Sequence, residues 1–270
     1  MVSMDGALLD LKRLDQLAAG DSALHRLDPR TKVLATLVFI VCVVSFGRYE
    51  LSALIPFFIF PAVLIGLGRL PAGYLVAKVA LVCPLAFAVG IFNPFFDRTV
   101  LVQLGSLGIS GGWISCASIV VRTALTVGAA LTLAALTGFP TICHAMVRLG
   151  MPKAFAMQLL FLYRYIFVLA EEGGRAARAR EMRSCGKRGR GPGSYASLLG
   201  HLLLRTWQRA ERIHMAMLAR GFTGVFQGRD NARFGTADVL FLLTWSLLCV
   251  TLRFNNLAQI LGSLVTGISS

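Results

Sequence analysis

Long apolar stretches, separated by short polar segments, recur along most of the chain. A helix rises 1.5 Å per residue, so about 20 apolar residues cross the hydrocarbon core of a bilayer, with a usual range of about 17–25. Five stretches fall in or near this range, at about 29–46, 51–68, 72–92, 113–138 and 236–252. The pattern therefore predicts an all-α integral membrane protein with about five transmembrane helices.

The polar residues before the first stretch indicate where its helix begins. Asp28 is suited to cap a helix N-terminus, and Pro29 stands at the first helical position, where proline is favoured. Charged residues are scattered through the segment 1–28 and leave no apolar core for a cleavable signal peptide. We therefore expect a polar N-terminal segment followed by a retained span.

A different pattern fills positions 141–235, between the fourth and fifth stretches. Apolar residues in its second half recur at spacings of three and four, which is typical of an amphipathic helix. They are Leu198, Leu199, Leu202, Leu203, Trp207, Ala210, Ile213 and Met217. An earlier helix is expected from Pro152 toward Arg183, either continuous or broken at Gly173 and Gly174.

The cations of the chain concentrate in the same segment. Hydrophobic residues make up 56% of the chain and charged residues 15%, against about 45–50% and about 25% in soluble domains. Of the net charge of +14, a net +11 lies in 141–235, with 16 Lys and Arg against five Asp and Glu. Cytoplasmic segments of membrane proteins are enriched in Lys and Arg, so this segment is expected to be cytoplasmic. Four spans precede it, which places the N-terminus in the cytoplasm too.

These patterns divide the chain into four parts. They are an N-terminal segment at 1–28, transmembrane helices at 29–140, a cytoplasmic module of amphipathic helices at 141–235, and a last span with the C-terminal tail at 236–270. The excess of cations therefore follows membrane topology, and nucleic acid is not needed to explain it.

Two cations interrupt the predicted spans. An arginine at the centre of a span costs roughly 2.5–3.5 kcal/mol on insertion scales, which makes Arg122 a candidate functional residue. A helix that starts nearer Ser118 lets the same side chain reach the outer interface, which is the structural alternative. Lys78 lies near the start of the third span and is expected to reach the inner interface.

The polar residues show no pattern of a catalytic or metal site. The four histidines are far apart, the six cysteines include no CxxC pair, and no Walker or nucleophile motif occurs. We therefore expect no catalytic residue, no metal ligand and no bound cofactor in this chain, and no ATP hydrolysis by the chain itself.

Two arginines stand at the expected ends of the two helices in 141–235. The segments 179–184 and 216–221 each place an arginine, Arg183 or Arg220, four residues after an alanine and before a small residue. An arginine in the last turn stabilises the negative end of the helix dipole by about 0.3–1 kcal/mol, which is one interpretation. The alternative is a contact in which each guanidinium fills a groove of a partner protein, and two copies suit a partner with two grooves.

Three motifs resemble one family of membrane proteins. They are LHRLDPRTK at 24–32, Tyr163-Arg164-Tyr165 followed by Glu171-Glu172, and ERIHMAMLARGF at 211–222. Together they are similar to the transmembrane T component of energy-coupling-factor (ECF) transporters, and the last motif to its cobalt-type branch (CbiQ). The resemblance covers nearly the whole chain.

The resemblance implies a role for both arginines. In that family, two Ala-Arg-Gly-like signatures on cytoplasmic coupling helices dock into two ATP-binding-cassette ATPase subunits. At the first signature only the arginine matches, because Met182 and Ser184 replace the alanine and the glycine. The ATPase-coupling residues implied are Arg183, Ser184, Ala219, Arg220 and Gly221, with Met182, Arg205, Arg209 and Arg212 as candidate supporting residues.

The resemblance also implies the other members of the assembly. The spans would hold a substrate-binding membrane S component, and ATP with Mg²⁺ would be bound by the ATPase subunits. The cargo would be a transition-metal ion, cobalt or alternatively nickel. The chain would then be a non-ATPase coupling subunit in the inner membrane, with lipid but no nucleic acid among its partners.

Two other classes of function compete with this interpretation. A self-sufficient channel or secondary transporter would require polar groups that converge in mid-membrane, and apart from Arg122 and Lys78 the spans offer few. A membrane-anchored nucleic-acid binder would place these arginines on phosphates. Their helical register, and the few aromatic residues at 175–233, disfavour it.

Overall fold

The computed structural model describes residues 2–47, 49–96, 100–104, 107–183, 192–224 and 235–254. Helices dominate this part of the chain, as the all-α prediction requires. They are α1 Val2–Ala18, α2 Pro29–Val44, α3 Leu51–Leu54, a 3-10 helix Ile55–Phe58, α4 Ile59–Gly68, α5 Ala72–Gly90, α6 Asn93–Phe96, α7 Gly111–Thr137, α8 Phe139–Arg148, α9 Lys153–Arg183, α10 Pro192–Ala219 and α11 Thr236–Phe254. Strands β1 Val100–Leu104 and β2 Leu107–Ser110 form a small antiparallel hairpin, which the sequence pattern did not predict.

Five helices among the described residues are long and apolar enough to cross a membrane. They are Leu51–Gly68, α5, α7, α9 and α11. The predicted number of spanning helices is confirmed, but one of the five helices is not the one that was predicted. Helix α2 has 16 residues, or about 24 Å, because the helix ends at Val44 while the apolar pattern continues to Phe46. Helix α9, which has 31 residues and an apolar first half, meets the requirement instead.

Helix α9 also decides between the two alternatives for its centre. It continues without interruption through Gly173 and Gly174, so the continuous alternative is confirmed. Each glycine in a helix interior costs roughly 1 kcal/mol relative to alanine. Helix α9 therefore remains continuous although the two glycines weaken its centre.

Backbone contacts divide the chain into two compact units. The span unit comprises Leu14–Ile142 and Asn231–Ser270, and the basic unit comprises Met1–Arg13 and Cys143–Asp230. The four-part division by membrane topology stays a prediction.

An aromatic cluster forms the core of the span unit. The rings of Phe39 and Phe60 stack with centroids 4.3 Å apart, and Phe60 meets Trp245 edge-on at 4.8 Å. Phe57 packs edge-on against Phe46 at 5.3 Å. Such pairs contribute about 0.5–1.5 kcal/mol each beyond the burial of their area. The cluster therefore ties α2, the 51–68 helix and α11 together.

The start of α2 agrees with the prediction from its sequence. Asp28 is the N-cap, its Oδ1 accepts a hydrogen bond from the backbone N–H of Arg30 at 2.8 Å, and Pro29 begins the helix. The backbone N–H of Asp28 in turn donates to Oδ1 of Asp238 at 2.7 Å. Because Asp28 and Asp238 are both buried, these bonds join the N-termini of α2 and α11.

A close backbone approach connects α6 with the start of α7. A Cβ atom on Gly112 would lie 2.4 Å from Cα of Pro94 and 2.9 Å from the backbone oxygen of Asn93. Both neighbours are backbone atoms that cannot rotate away. This position in the span unit therefore accepts only glycine.

We expect Gly112→Ala to lower the free energy of unfolding by about 1–3 kcal/mol, the usual cost of overpacking. The matched control is Gly73→Ala in α5, because a Cβ there meets no atom within 4 Å. Thermal unfolding of the purified protein in detergent measures the effect. Equal unfolding midpoints for the two variants would contradict the close approach.

Candidate functional site

The end of α10 forms a complete helix C-cap. The backbone N–H of Gly221 donates to the carbonyl of Leu218 at 2.9 Å, and that of Phe222 donates to the carbonyl of Met217 at 3.0 Å. Gly221 has φ +76°, so the pair of bonds is a Schellman motif with glycine at its left-handed position. This is the end that the sequence predicted for this helix.

The cap leaves the second signature accessible. Ala219, Arg220 and Gly221 are all exposed, and Arg220 is the last residue before the chain turns. Helix carbonyls at this end carry partial negative charge, and the Schellman bonds satisfy two of them. The guanidinium of Arg220 is therefore presented at a rigid helix end.

The first signature stands at the corresponding end of α9. Helix α9 is described as far as Arg183, which is exposed, and Met182 is 78% exposed. Ser184 lies outside the described residues. Arg183 lines a cleft of about 680 Å³ between α9 and α10, together with Arg180, His201 and Arg205. Both signature arginines therefore belong to the basic unit and stand at helix ends.

A buried carboxylate joins the two helices. Glu172 of α9 is 5% exposed, and its Oε1 lies 3.1 Å from Nη1 of Arg205 while its Oε2 lies 2.9 Å from Nη2 of Arg209. Two of the candidate supporting arginines thus bind a glutamate of their own chain. The third, Arg212, donates from Nε to the carbonyl of Gln208 on its own helix at 3.2 Å.

Sequence reasoning did not assign this role to Glu172. It appeared only as part of the Glu171-Glu172 pair that carries the family resemblance. One sequence signal for an ion pair was available. The segment 141–235 has 16 Lys and Arg but only five acids, so an acid there that is removed from water is expected to pair with a cation. The partners of Glu172 are 33 and 37 residues away in sequence, beyond the reach of helical periodicity.

An apolar groove of about 660 Å³ also lies between α9 and α10. Phe161 and Tyr165 line it from α9, Trp207 and Met217 line it from α10, and Phe222 lines it from the segment after α10. Trp207 is 69% exposed, which is unusual for so large an apolar side chain. The groove is therefore an exposed surface suited to apolar contact.

Two arginines of the span unit contact carbonyls just after α2. Arg122 donates from Nη2 to the carbonyl of Gly47, and Arg253 donates from Nη2 to the carbonyl of Ser45 at 3.0 Å. Arg253 also lies over the ring of Phe46 at 4.6 Å. Carbonyls just beyond a helix C-terminus lack partners within the helix, and cations there are favourable. The predicted helix start nearer Ser118 is wrong, because α7 begins at Gly111. Arg122 instead has a structural contact with the segment after α2, which the sequence did not reveal.

Lys78 lies 5.5 Å from the ring centroid of Tyr74 on the same helix. In the part of the chain that the structure describes, no three His, Cys, Asp or Glu side chains come together as a metal site.

Five helices long and apolar enough to span a bilayer define a multi-pass membrane protein. A family model described as CbiQ, cobalt transport protein, matches residues 20–232, and the chain belongs to this family.

Curated relatives agree with this assignment. The energy-coupling factor transporter transmembrane protein EcfT of Heliobacterium modesticaldum is 29% identical over 234 residues, which are 82% of this chain and 87% of the relative. The EcfT of Acidaminococcus fermentans is 26% identical over 260 residues, or 89% and 95% of the two chains. The EcfT of Listeria innocua is 26% identical over 255 residues, or 87% and 94%. The resemblance to the transmembrane T component of ECF transporters is thereby confirmed.

We expect Gly221→Ala to fray the end of α10, because a left-handed φ costs a residue with a Cβ about 1–2 kcal/mol. Hydrogen exchange at the Phe222 amide, which is bonded to Met217, should become about tenfold faster. The control is Gly200→Ala within α10, where a Cβ meets nothing within 4 Å and should be neutral or stabilising. Unchanged exchange in Gly221→Ala would contradict the cap.

Proposed function

We propose that the chain is the transmembrane coupling subunit of an ATP-driven importer of the ECF type, with a transition-metal ion as cargo. The observation that carries the proposal is the end of α10, where a Schellman cap presents Arg220 between Ala219 and Gly221. A cap needs no arginine, since its two hydrogen bonds use backbone groups alone. The exposed guanidinium is therefore available for a partner.

The proposed partners at the arginine ends are two ATP-binding-cassette ATPase subunits. A planar guanidinium with five donors suits a groove lined by carboxylates and backbone carbonyls. One ATPase subunit would receive Arg220 with its neighbours, and the other Arg183 with Met182 and Ser184. ATP and Mg²⁺ would be bound in those subunits, and the present chain would not be catalytic by itself.

The mechanism follows from differential affinity. ATP binding and hydrolysis would move the ATPase subunits between two arrangements, and the docked helices would follow. A partner that binds two states equally shifts no equilibrium, so the ATPases must prefer one arrangement of the coupling helices. The spans would then tilt or release the substrate-binding S component.

The apolar groove supports a partner of a different kind. Its lining includes Phe161, Trp207 and Phe222, and exposed surfaces of this type suit apolar helices better than polar loops. We assign it to the S component, which is itself a membrane subunit in the proposed assembly. Separate surfaces for the ATPases and the S component let the chain bind both at once.

The proposed topology follows from the distribution of charge. The N-terminus and 141–235 would be cytoplasmic in the inner membrane, because 141–235 carries a net +11 from 16 cations and five acids. Helix α2 would be a short span, extended at its end by residues 45–46. Helix α9 would remain in the basic unit, because four arginines in its second half are costly within lipid.

Cobalt is the cargo that we propose, with nickel as the competing ion. The support is the description of the matching family as cobalt transport proteins. The metal ligands are expected in the S component.

Charge reversal by Arg220→Glu tests the ATPase contact. We expect at least a tenfold loss of ATPase subunits recovered with the tagged chain from native membranes, because reversing a buried interfacial charge costs several kcal/mol. Cellular uptake of radioactive cobalt should fall in parallel, and in the wild type excess cobalt should compete better than excess nickel. The amount of chain in the membrane should not change.

The matched control is Arg178→Glu, which makes the same charge change at another exposed arginine of the basic unit. It should retain the ATPase subunits to within about twofold. Recovery of both ATPases with Arg220→Glu at the wild-type level would refute the proposal. Flux of cobalt through the purified chain alone, without an ATPase, would favour a self-sufficient transporter.

A further inference from the structure

Helices α9 and α10 meet over a short stretch near the centre of α9. Glu172 contacts Arg205 and Arg209 there, and a Cβ on the adjacent Gly173 would lie 3.7 Å from Cδ1 of Leu202. The carboxylate is therefore located at the contact between the two helices.

The spacing from the ion pairs to the signature arginine is the same on both helices. Glu172 stands 11 residues before Arg183, and Arg209 stands 11 residues before Arg220. Eleven residues correspond to about 16.5 Å, or three helical turns. Each signature arginine is thus the same distance along its helix from the buried carboxylate.

The two arginines do not hold the carboxylate equally. The side chain of Arg205 is 69% exposed, so water screens its attraction, whereas that of Arg209 is 35% exposed. Glu172 is nearly removed from water, and a buried charge that loses its partner is strongly destabilised. Arg209 is therefore the partner less screened by water, although Oε2 of Glu172 pairs with it through charge without an aligned hydrogen bond.

Apolar contacts alone do not fix this register. The leucines of α10 present similar surfaces at every turn, and hydrophobic attraction has no preferred direction. A shift by one turn toward the start of α10 would bring His201 to the carboxylate in place of Arg209, and a shift toward its end would bring Ile213 in place of Arg205. The present register therefore gives Glu172 two arginines at once, and either shift would remove one of them.

We propose that Glu172 is a positioning residue that fixes the spacing between the Arg183 and Arg220 ends, so that both engage the two ATPase subunits together. The inference rests on the proposed function of these ends as docking elements. Two linked contacts reinforce each other only when the geometry permits both at once. Glu172 therefore determines whether the movement of both ATPases reaches the spans.

Distance measurements by double electron–electron resonance test the spacing in the full chain within its complex. Spin-labelled amino acids are introduced at positions 178 and 215, which are exposed and each stand five residues before a signature arginine. The chain that is otherwise wild type should give one narrow distance distribution. In Glu172→Gln the width should at least double.

Two further variants control the measurement. Glu171→Gln removes the neighbouring charge, which is exposed and pairs only weakly with Arg175 at 3.9 Å, and should leave the width unchanged. Glu172→Arg combined with Arg205→Glu and Arg209→Glu reverses both ion pairs and should restore the narrow distribution. If Glu172→Gln does not accumulate, this triple variant decides: a narrow distribution supports the proposal and a broad one overturns it.

A second experiment measures how much cobalt the complex takes up for each ATP that it hydrolyses. Glu172→Gln should retain at least one ATPase subunit, while cobalt taken up per ATP hydrolysed falls at least fivefold. A merely structural role would lower the uptake and the amount of complex together. Wild-type width and coupling in Glu172→Gln, or equal effects in Glu171→Gln, would overturn the proposal. Absence of ATPase subunits from the wild-type complex would instead refute the proposed function. The distance measurement would still test whether Glu172 fixes the spacing between the two helices.

Discussion

The pairing of one buried carboxylate with two arginines organises the basic unit. The unit is rich in cations, which repel one another, and Glu172 is the acid that the structure buries between α9 and α10. Without it, Arg205 and Arg209 would lose the carboxylate that they share. With it, two long amphipathic helices share a defined register, and their arginine ends and the apolar groove between them acquire fixed positions. The surfaces proposed for the ATPases and for the S component both depend on this pairing.

The span unit is stabilised by different interactions. Phe39, Phe60 and Trp245 form an aromatic core, and arginines bind the carbonyls beyond the end of α2. At the other end of α2, Asp28 and Asp238 connect its N-terminus to that of α11. These polar contacts lie at the two ends of α2, and the aromatic core lies between them. This is the distribution expected of helices that cross lipid, where a polar group must find a partner within the protein.

Local chemistry was predictable from sequence, and long-range pairing was not. Asp28 before Pro29 and Gly221 after α10 were recognised because caps depend on neighbouring residues. The end of α2 was predicted too late, since apolar periodicity continues past a helix that stops at Val44. The partners of Arg122 and Glu172 come from distant segments, which no periodicity relates. The hairpin of β1 and β2 was missed because its short strands lie between two predicted spans.

The central claim is that Arg220 contacts an ATPase subunit directly. A photoreactive amino acid at position 220, activated by light in native membranes, reports which molecule lies beside this helix end. We expect a covalent adduct with an ATP-binding-cassette subunit, abundant from position 220 and absent when the same amino acid stands at the exposed position 164 of α9. Adducts with lipid or with the S component alone, and none with an ATPase, would contradict it.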